Sequence, residues 1–226
     1  MKLVIFDCDG TLVDSQNAIF AAMQHAFGRE GLPVPPRHRV LEVVGLSLPE
    51  AFAVLAGEHA RPVQTRLAEA YRTDFPRARE EVGERDPLFE GTAELIAALF
   101  GAGDVMLGIA TGKSRRGVAR LLAQEGWEGH FATIQTADTH PSKPHPSMIE
   151  TAMRETGVGP ERTVMIGDTS FDMEMARAAG VGAIGVSWGY HPVERLESAG
   201  AHRIVAAWPD LHRAIAGCLD AAGARR

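Results

Sequence analysis

The sequence predicts an α/β protein with a doubly wound parallel sheet and an inserted all-helical domain. From residue 86 onward, short apolar runs alternate with segments of helical periodicity, which is typical of strands joined by crossover helices. Another apolar run, at residues 3–6, ends in a turn signal, as expected for a buried parallel strand. Residues 16–85 show helical periodicity alone. We therefore expect residues 1–15 and 86–226 to form one core that carries residues 16–85 as an insertion.

Composition is typical of an ordinary globular protein. Of the 226 residues, 45% are hydrophobic and 23% are charged, which allows a substantial core. The formal net charge is −6, and no long run of like charge indicates nucleic acid or an anionic membrane as a partner. No stretch has the length of a membrane span, and the two cysteines lie too far apart in sequence to suggest a disulfide framework. We expect a cytoplasmic protein that binds neither nucleic acid nor membranes.

The insertion is predicted to contain four helices. Apolar residues recur at helical spacing over residues 18–27, and a proline-rich connector follows at residues 33–36. Shorter helices are predicted at residues 37–44 and 49–57, the second with Ser47 as its N-cap, and a longer one at residues 62–82.

The rest of the chain is predicted to alternate between helices and strands. Thr92 is expected to cap the first of these helices. The predicted helices cover residues 92–100, 114–125, 146–156, 173–179 and the chain from 209, and the predicted strands cover residues 105–110, 131–134, 163–167, 183–186 and 203–205.

Polar side chains follow three of the predicted strands. Asp7 and Asp9 end the first strand, and side chains two residues apart in an extended chain point to the same side. Thr111 follows the strand at 105–110, and Asp168 and Asp172 follow the strand at 163–167. Because ligands bind at the carboxyl ends of the strands in open α/β sheets, we expect these side chains to meet at one edge.

The charges at this edge predict a metal ion. Lys143 lies in a polar, proline-broken loop that reaches the same edge, and four carboxylates with one ammonium leave a formal charge of −3. Hard oxygen ligands favour Mg²⁺. An anionic substrate could then be held by the metal, by Lys143, by the Thr111 hydroxyl and by backbone N–H groups.

Taken in chain order, these residues resemble the four motifs of the haloacid dehalogenase-like hydrolase superfamily. The first motif corresponds to residues 7–12, the second to Thr111, the third to Lys143 and the fourth to residues 167–172. The resemblance spans the whole chain, because residues 16–85 stand where members of the superfamily carry a helical cap. It implies a Rossmann-like catalytic core, residues 1–15 and 86–226, with that cap.

The resemblance also implies how the residues act. Asp7 would be the nucleophile that forms an aspartyl phosphate, and Asp9 would serve as acid for the leaving oxygen and then as base for water. Mg²⁺ would be held by Asp7, Asp168 and the backbone carbonyl of Asp9, with Asp172 as a further ligand or as a residue that orients one. The phosphoryl group would be bound by Gly10, Thr11, Thr111, Gly112 and Lys143.

Other reactions of the superfamily are partly separable by sequence. Dehalogenase members lack the second aspartate of the first motif, which is present here as Asp9. Phosphonate-cleaving members use a cap lysine, whereas residues 16–85 contain no lysine. Sugar phosphomutases of the β-phosphoglucomutase type share every core motif and stay an alternative. A non-catalytic phosphate-sensing module is the second alternative.

Within the superfamily the chain resembles the phosphoglycolate phosphatases. The similarity lies in residues 9–15, 142–146, 186–190 and 200–201. It predicts Mg²⁺-dependent hydrolysis of a small phosphorylated metabolite.

Several residues near the motifs receive structural interpretations. Cys8 is expected to pack in the strand, and Asp14 and Ser15 to cap the first cap helix or to form a hinge. Lys113 and Arg116 are either solvated or attract the anion. Residues 44–48 resemble the cap loop that contacts substrate in relatives.

Overall fold

The computed structural model describes residues 1–83 and 85–223, and it confirms the predicted fold class. Six parallel strands form one sheet, in the spatial order β3-β2-β1-β4-β5-β6. The strands are β1 Lys2–Phe6, β2 Val105–Thr111, β3 Phe131–Thr136, β4 Thr163–Gly167, β5 Gly182–Val186 and β6 Arg203–Val205. The first strand therefore lies inside the sheet. The next two strands, β2 and β3, are added on one side of it, and β4, β5 and β6 on the other.

The register of β1 places the ends of three strands side by side. Phe6 pairs with Ile109 of β2 and with Ile166 of β4. The next residue, Asp7, donates its backbone N–H to the carbonyl of Ile166 over 2.9 Å. The residues that follow β1, β2 and β4 therefore share one edge, at the point where ligands bind in such sheets.

Helices cover both faces of the sheet. They are α5 Thr92–Gly101, α6 Arg115–Glu125, α7 Ser147–Thr156, α8 Ser170–Ala178, α9 Val193–Ser198 and α10 Trp208–Gly223, with a 3₁₀ turn at Pro160–Arg162. Neighbouring strand residues face opposite sides of the sheet. Val4 and Phe6 therefore point into a cluster with α5, α6 and α10, whereas Leu3 and Ile5 point into a second cluster with α7 and α8.

Four further helices form the cap, around a hydrophobic cluster of their own. They are α1 Gln16–Arg29, α2 Arg37–Leu41, α3 Leu48–Leu55 and α4 Arg61–Val82. At the centre, the fully buried Phe52 ring lies 6.1 Å from the rings of both Phe27 and Tyr71, measured between centroids. The domain boundaries at residues 15 and 86 stay a prediction.

One predicted N-cap and one predicted helix start are wrong. Thr92 does not cap α5, because Gly91 holds the N-cap position at a φ of 83° and the Thr92 hydroxyl instead donates to the Leu12 carbonyl. The helix predicted to begin at residue 173 begins at Ser170, since Thr169 and Asp172 form a capping box. In the described part of the chain, every helix is too short or too polar to cross a membrane.

Candidate active site

Asp7 lies at the buried end of the central strand. Its side chain is 1% exposed, and Oδ1 accepts a hydrogen bond from the Cys8 backbone N–H over 2.7 Å. Oδ2 forms an ion pair with Lys143 Nζ over 2.9 Å, but this buried oxygen accepts no hydrogen bond from the described residues. Burial raises the pKa of Asp7 to about 6, against the opposing attraction of the Lys143 ammonium.

Asp168 lies opposite Asp7, in the turn after β4. Its two oxygens accept hydrogen bonds from the Thr11 hydroxyl at 2.9 Å and from the Tyr190 backbone N–H at 2.8 Å. Gly10, at a φ of 85°, allows this approach, since a Cβ there would lie 2.2 Å from Asp168 Oδ2. Burial and the neighbouring carboxylates raise the pKa of Asp168 well above its usual range.

Asp172 completes the group from the first turn of α8. Lys143 Nζ donates to its Oδ1 over 2.6 Å, and in the capping box the Thr169 backbone N–H donates to its Oδ2 over 3.1 Å. The fully buried Lys143 ammonium thus bridges Asp7 and Asp172. Its own pKa is raised, because the attraction of these two carboxylates outweighs desolvation.

The residues present fit a divalent cation. Asp7, Asp168 and Asp172 each offer one buried carboxylate oxygen, and these oxygens lie within 4.8 Å of one another. All three carboxylates and the Lys143 ammonium leave a formal charge of −2, and Asp7 Oδ2 accepts no hydrogen bond from the described residues. Oxygen donors of this kind suit Mg²⁺.

The predicted phosphate-binding residues surround Asp7 and Asp9. Thr111 ends β2, and its hydroxyl helps to lower the pKa of Asp7. Gly112 follows it and lies against the cap. The backbone N–H groups of Gly10 and Thr11 donate to the carbonyls of Val13 and Cys8 within their own loop, so their role toward phosphate stays a prediction.

Asp9 has a different environment from the one expected. Its side chain belongs to a second group of charges, because Oδ1 accepts a hydrogen bond from Lys113 Nζ over 2.5 Å and another from the Ser15 hydroxyl. Lys113 is only 8% exposed, so its interpretation as a solvated residue is wrong. Ser15 holds the N-cap position of α1 without a side-chain capping bond, and its hydroxyl contacts Asp9 instead.

Two more buried charges extend this second group. Asp86 Oδ2 lies 4.0 Å from Lys113 Nζ and 3.5 Å from Arg79 Nε. The Asp9 charge is therefore balanced by Lys113, whereas Lys143 pairs with Asp7 and Asp172. Sequence reasoning missed this pairing, although Lys113 stands two residues after Thr111, a separation that places side chains on one side of an extended segment.

The cap is closed over the site. The Ser47 backbone N–H donates to the Ser142 hydroxyl over 2.8 Å, and His191 Nε2 lies 3.0 Å from the Glu42 carbonyl oxygen. Gly112 allows the cap loop to approach, since a Cβ there would lie 2.7 Å from the Gly45 carbonyl oxygen. The loop at residues 44–48 thus contacts the core, and its contact with substrate stays a prediction.

Comparison with known proteins identifies the family. A family model described as haloacid dehalogenase-like hydrolase matches residues 4–186, most of the chain. The chain belongs to the haloacid dehalogenase-like hydrolases. The predicted superfamily is confirmed, and the four motifs supply Asp7, Thr111, Lys143 and Asp168 in chain order, Lys143 from the loop between β3 and α7.

Curated relatives of this haloacid dehalogenase-like hydrolase include two named as phosphatases. "Probable phosphatase IndB" of Dickeya dadantii is 38% identical over 90% of this chain and 88% of its own length. A phosphoglycolate phosphatase of Pseudomonas savastanoi pv. phaseolicola is 31% identical over 97% of this chain and 80% of its own length. A relative in Mycobacterium tuberculosis is named tyrosine-protein kinase PtkA, with 36% identity, and the chain spans 63% of it. The predicted enzyme class, a phosphatase similar to phosphoglycolate phosphatases, is confirmed by the family and the first two relatives.

Solved structures show the same fold. A predicted phosphatase from Clostridium acetobutylicum superposes with a TM-score of 0.84 at 26% identity, covering 96% of this chain and 98% of that one. A putative β-phosphoglucomutase from Bacteroides vulgatus superposes with a TM-score of 0.80 at 20% identity, covering 98% of this chain and 90% of that one. The second similarity is one of fold alone.

Proposed function

We propose that this chain is a Mg²⁺-dependent phosphatase that hydrolyses small, phosphoglycolate-like phosphate monoesters through an aspartyl phosphate on Asp7. The observation that carries the proposal is the Asp7 carboxylate, which lies beside Lys143 in a buried group of three acids and has one oxygen without a hydrogen bond from the described residues. Such an oxygen is available to a metal or to phosphorus.

Asp7 is the nucleophile in this proposal. One of its oxygens attacks phosphorus, the bond from phosphorus to the ester oxygen breaks, and the leaving group departs with that oxygen. Lys143 and Thr111 hold the phosphoryl oxygens and offset their charge, since phosphoryl transfer depends mainly on positioning and charge stabilisation. A bound Mg²⁺, held by Asp7, Asp168, Asp172 and the Asp9 carbonyl, would supply the rest of that charge stabilisation.

Asp9 moves the protons. As a carboxylate held by Lys113 and Ser15, it is suited to take a proton from the water that hydrolyses the aspartyl phosphate. To protonate the leaving oxygen in the first half of the reaction, Asp9 must carry a proton and its contact with Lys113 must lengthen. Asp9 is thus the carboxylate paired with Lys113 between the two steps, and the proton that it takes from water restores the acid for the next turnover.

The decisive experiment is a panel of phosphate esters assayed with Mg²⁺ and with an excess of chelator. The panel contains p-nitrophenyl phosphate, phosphoglycolate and β-glucose 1-phosphate, and each reaction is followed for phosphate release and for isomerisation, because sugar phosphomutases use the same carboxylates. We expect release of phosphate that stops on chelation and returns with Mg²⁺. Turnover that survives complete chelation contradicts the metal, and isomerisation that exceeds phosphate release contradicts the hydrolase.

A further inference from the structure

A cavity of about 730 Å³ lies between the cap and the core. It reaches the site at Asp9 and Lys113, which line its inner end. This volume lies within the range of pockets that enclose a drug-sized ligand. A leaving group as small as glycolate would fill a minor part of it. The cavity therefore has room for a longer leaving group.

The two sides of the cavity differ in chemistry. The cap side is largely apolar and includes Ile19, Met23, Val44, Leu46, Tyr71 and Phe75. The core side presents Lys113, which precedes α6, together with Arg116 and Arg120 of α6, which are four residues apart and so share one face of the helix. Arg72 of α4 adds a third guanidinium from the cap.

These guanidinium groups have no carboxylate of their own within the described residues. Lys113 is paired with Asp9, but Arg72, Arg116 and Arg120 form no ion pair with the described carboxylates. Two acids also line the cavity. One of them, Asp138, accepts a hydrogen bond from the backbone of Arg115, and the other, Glu50, lies at the exposed start of α3.

Arg120 shows the effect of this crowding. Its burial, together with the nearby positive charges of Arg79 and Arg116, lowers the pKa of its guanidinium, against the attraction of Asp86. An anion placed among these groups would remove the repulsion. The cavity is thus apolar where it meets the cap and unbalanced in positive charge where it meets α6.

We propose that this cavity selects phosphate monoesters with a leaving group longer than glycolate, whose distal carboxylate or phosphate is bound by Arg72, Arg116 and Arg120. The inference rests on the proposed phosphatase function and specifies the substrate class of that site. The transferred phosphoryl group sits at Asp7, the body of the leaving group lies along the apolar cap wall, and its distal anion meets the guanidinium groups.

Aryl phosphates that differ only at the para position test this directly. The probes are 4-carboxyphenyl phosphate, 4-phosphonophenyl phosphate and the neutral 4-methylphenyl phosphate, assayed at one fixed ionic strength because salt screens exposed charges. The measured quantity is kcat/KM for each anionic ester divided by kcat/KM for the neutral one. This ratio is compared between the unmodified protein, Arg116→Gln, Arg120→Gln and Arg115→Gln.

Arg115→Gln is the matched control, since Arg115 lies on the same helix and carries the same charge but is absent from the cavity wall. Dividing the ratio of each variant by that of the unmodified protein cancels differences in leaving-group reactivity. We expect Arg116→Gln and Arg120→Gln each to lower the ratio by about tenfold for at least one anionic ester, as loss of a charge-assisted hydrogen bond does. Arg115→Gln should leave it unchanged. The ester with the larger change identifies the distal group.

The outcomes separate this inference from the proposed function. If the neutral ester is hydrolysed but all four proteins give the same ratio, the anion subsite is wrong and the phosphatase stands. An equal fall in Arg115→Gln also overturns the subsite, because net charge alone would explain it. If no ester is hydrolysed, the phosphatase fails. Calorimetric binding of 4-carboxyphenyl phosphate to Asp7→Asn, with and without Arg120→Gln, then decides the subsite: an unchanged dissociation constant overturns it, and a rise of about tenfold supports it.

Discussion

At the scale of single residues, Asp7 combines burial, a raised pKa and an oxygen that accepts no hydrogen bond from its described neighbours. We predict that Asp7→Asn lowers kcat by at least about 10³-fold, because an amide cannot form the acyl phosphate. The melting temperature of the metal-free protein should not fall, since the change removes a carboxylate whose ionisation is unfavourable in this site. Steady-state kinetics and thermal unfolding test both parts.

Asp14→Asn is the control for that variant. Asp14 lies close by in sequence, but its carboxylate accepts hydrogen bonds from the backbone and side chain of Gln16 and takes no part in the buried acidic group. Activity close to that of the unmodified protein is expected. An active Asp7→Asn protein would place the nucleophile elsewhere.

The pair of Asp9 and Lys113 carries a second prediction at this scale. Lys113→Met should lower kcat and destabilise the protein by about 3 kcal/mol, because it leaves buried Asp9 and Asp86 without their shared cation. Asp9→Asn removes the other partner. In the double variant the losses of unfolding free energy should fall short of their sum by about 1 kcal/mol or more. Additive losses would show that the contact has no energetic role.

The sequence can identify site residues whose positions follow from the ends of strands, but not those whose positions depend on tertiary contacts. Asp7, Thr111 and Asp168 were predictable to meet, because each follows an apolar run and the carboxyl ends of parallel strands share an edge. The pairing of Lys113 with Asp9 was not, since it joins two loops 104 residues apart and depends on the exact path of each. The chemical motif indicates which groups react, whereas the contacts that hold them arise from tertiary packing.

At the scale of elements, the cap loop and the turn after β2 are in close contact. Gly112→Ala would place a Cβ 2.7 Å from the Gly45 carbonyl oxygen, so the loop must retreat and the cap cannot close fully. We expect kcat to fall by about tenfold or more, since closure excludes water and completes such sites. Small-angle scattering should show less compaction with a phosphate mimic than in the unmodified protein.

Gly101→Ala is the matched control, because a Cβ at Gly101 would meet nothing within 4 Å. It should leave both kcat and the scattering response unchanged. Identical scattering of the unmodified protein with and without the mimic would contradict cap closure altogether.

Element boundaries show the same division between local and tertiary causes. The strands were predictable because buried parallel strands are continuous apolar runs, as the fully buried residues 3–6 illustrate. The start of α8 was missed because the polar Ser170 and Asp172 interrupt the apolar pattern, although the capping box of Thr169 and Asp172 is a local signal in the sequence. Gly91 displaces Thr92 from the N-cap, since the Thr92 hydroxyl has a tertiary partner in the Leu12 carbonyl.

At the scale of the whole molecule, the cap and the core enclose the acidic site from two sides. Asp7, Asp168 and Asp172 are buried and do not line the cavity, whereas Asp9 and Lys113 do. We therefore expect the cap to open before substrate reaches Asp7. The buried charges then affect the stability of the entire fold, and that effect depends on whether a cation is bound.

Stability against pH tests this coupling. The pKa of Asp7 is raised from 3.8 to about 6, and that of Asp168 is raised as well. At a pH between 3.8 and about 6, Asp7 binds more protons in the folded state than in the unfolded chain. Protonation of these carboxyl groups therefore stabilises the metal-free protein as the pH falls through 6. The stabilisation that Mg²⁺ provides instead decreases as the pH falls, because protons compete with the cation for the same oxygens and the cation binds only the folded state.

Buried His191, whose pKa is lowered by desolvation, makes the fold lose stability as the pH falls through its unfolded value of 6.5, whether or not metal is present. The informative quantity is therefore the melting temperature in Mg²⁺ minus that in chelator, measured from about pH 7.5 down to about pH 5.5. We expect this difference to shrink as the pH falls. For each proton that the metal displaces, its stabilisation of the folded state should decrease by about 1.4 kcal/mol per pH unit. A difference that stays constant with pH would mean that the cation binds away from Asp7 and Asp168.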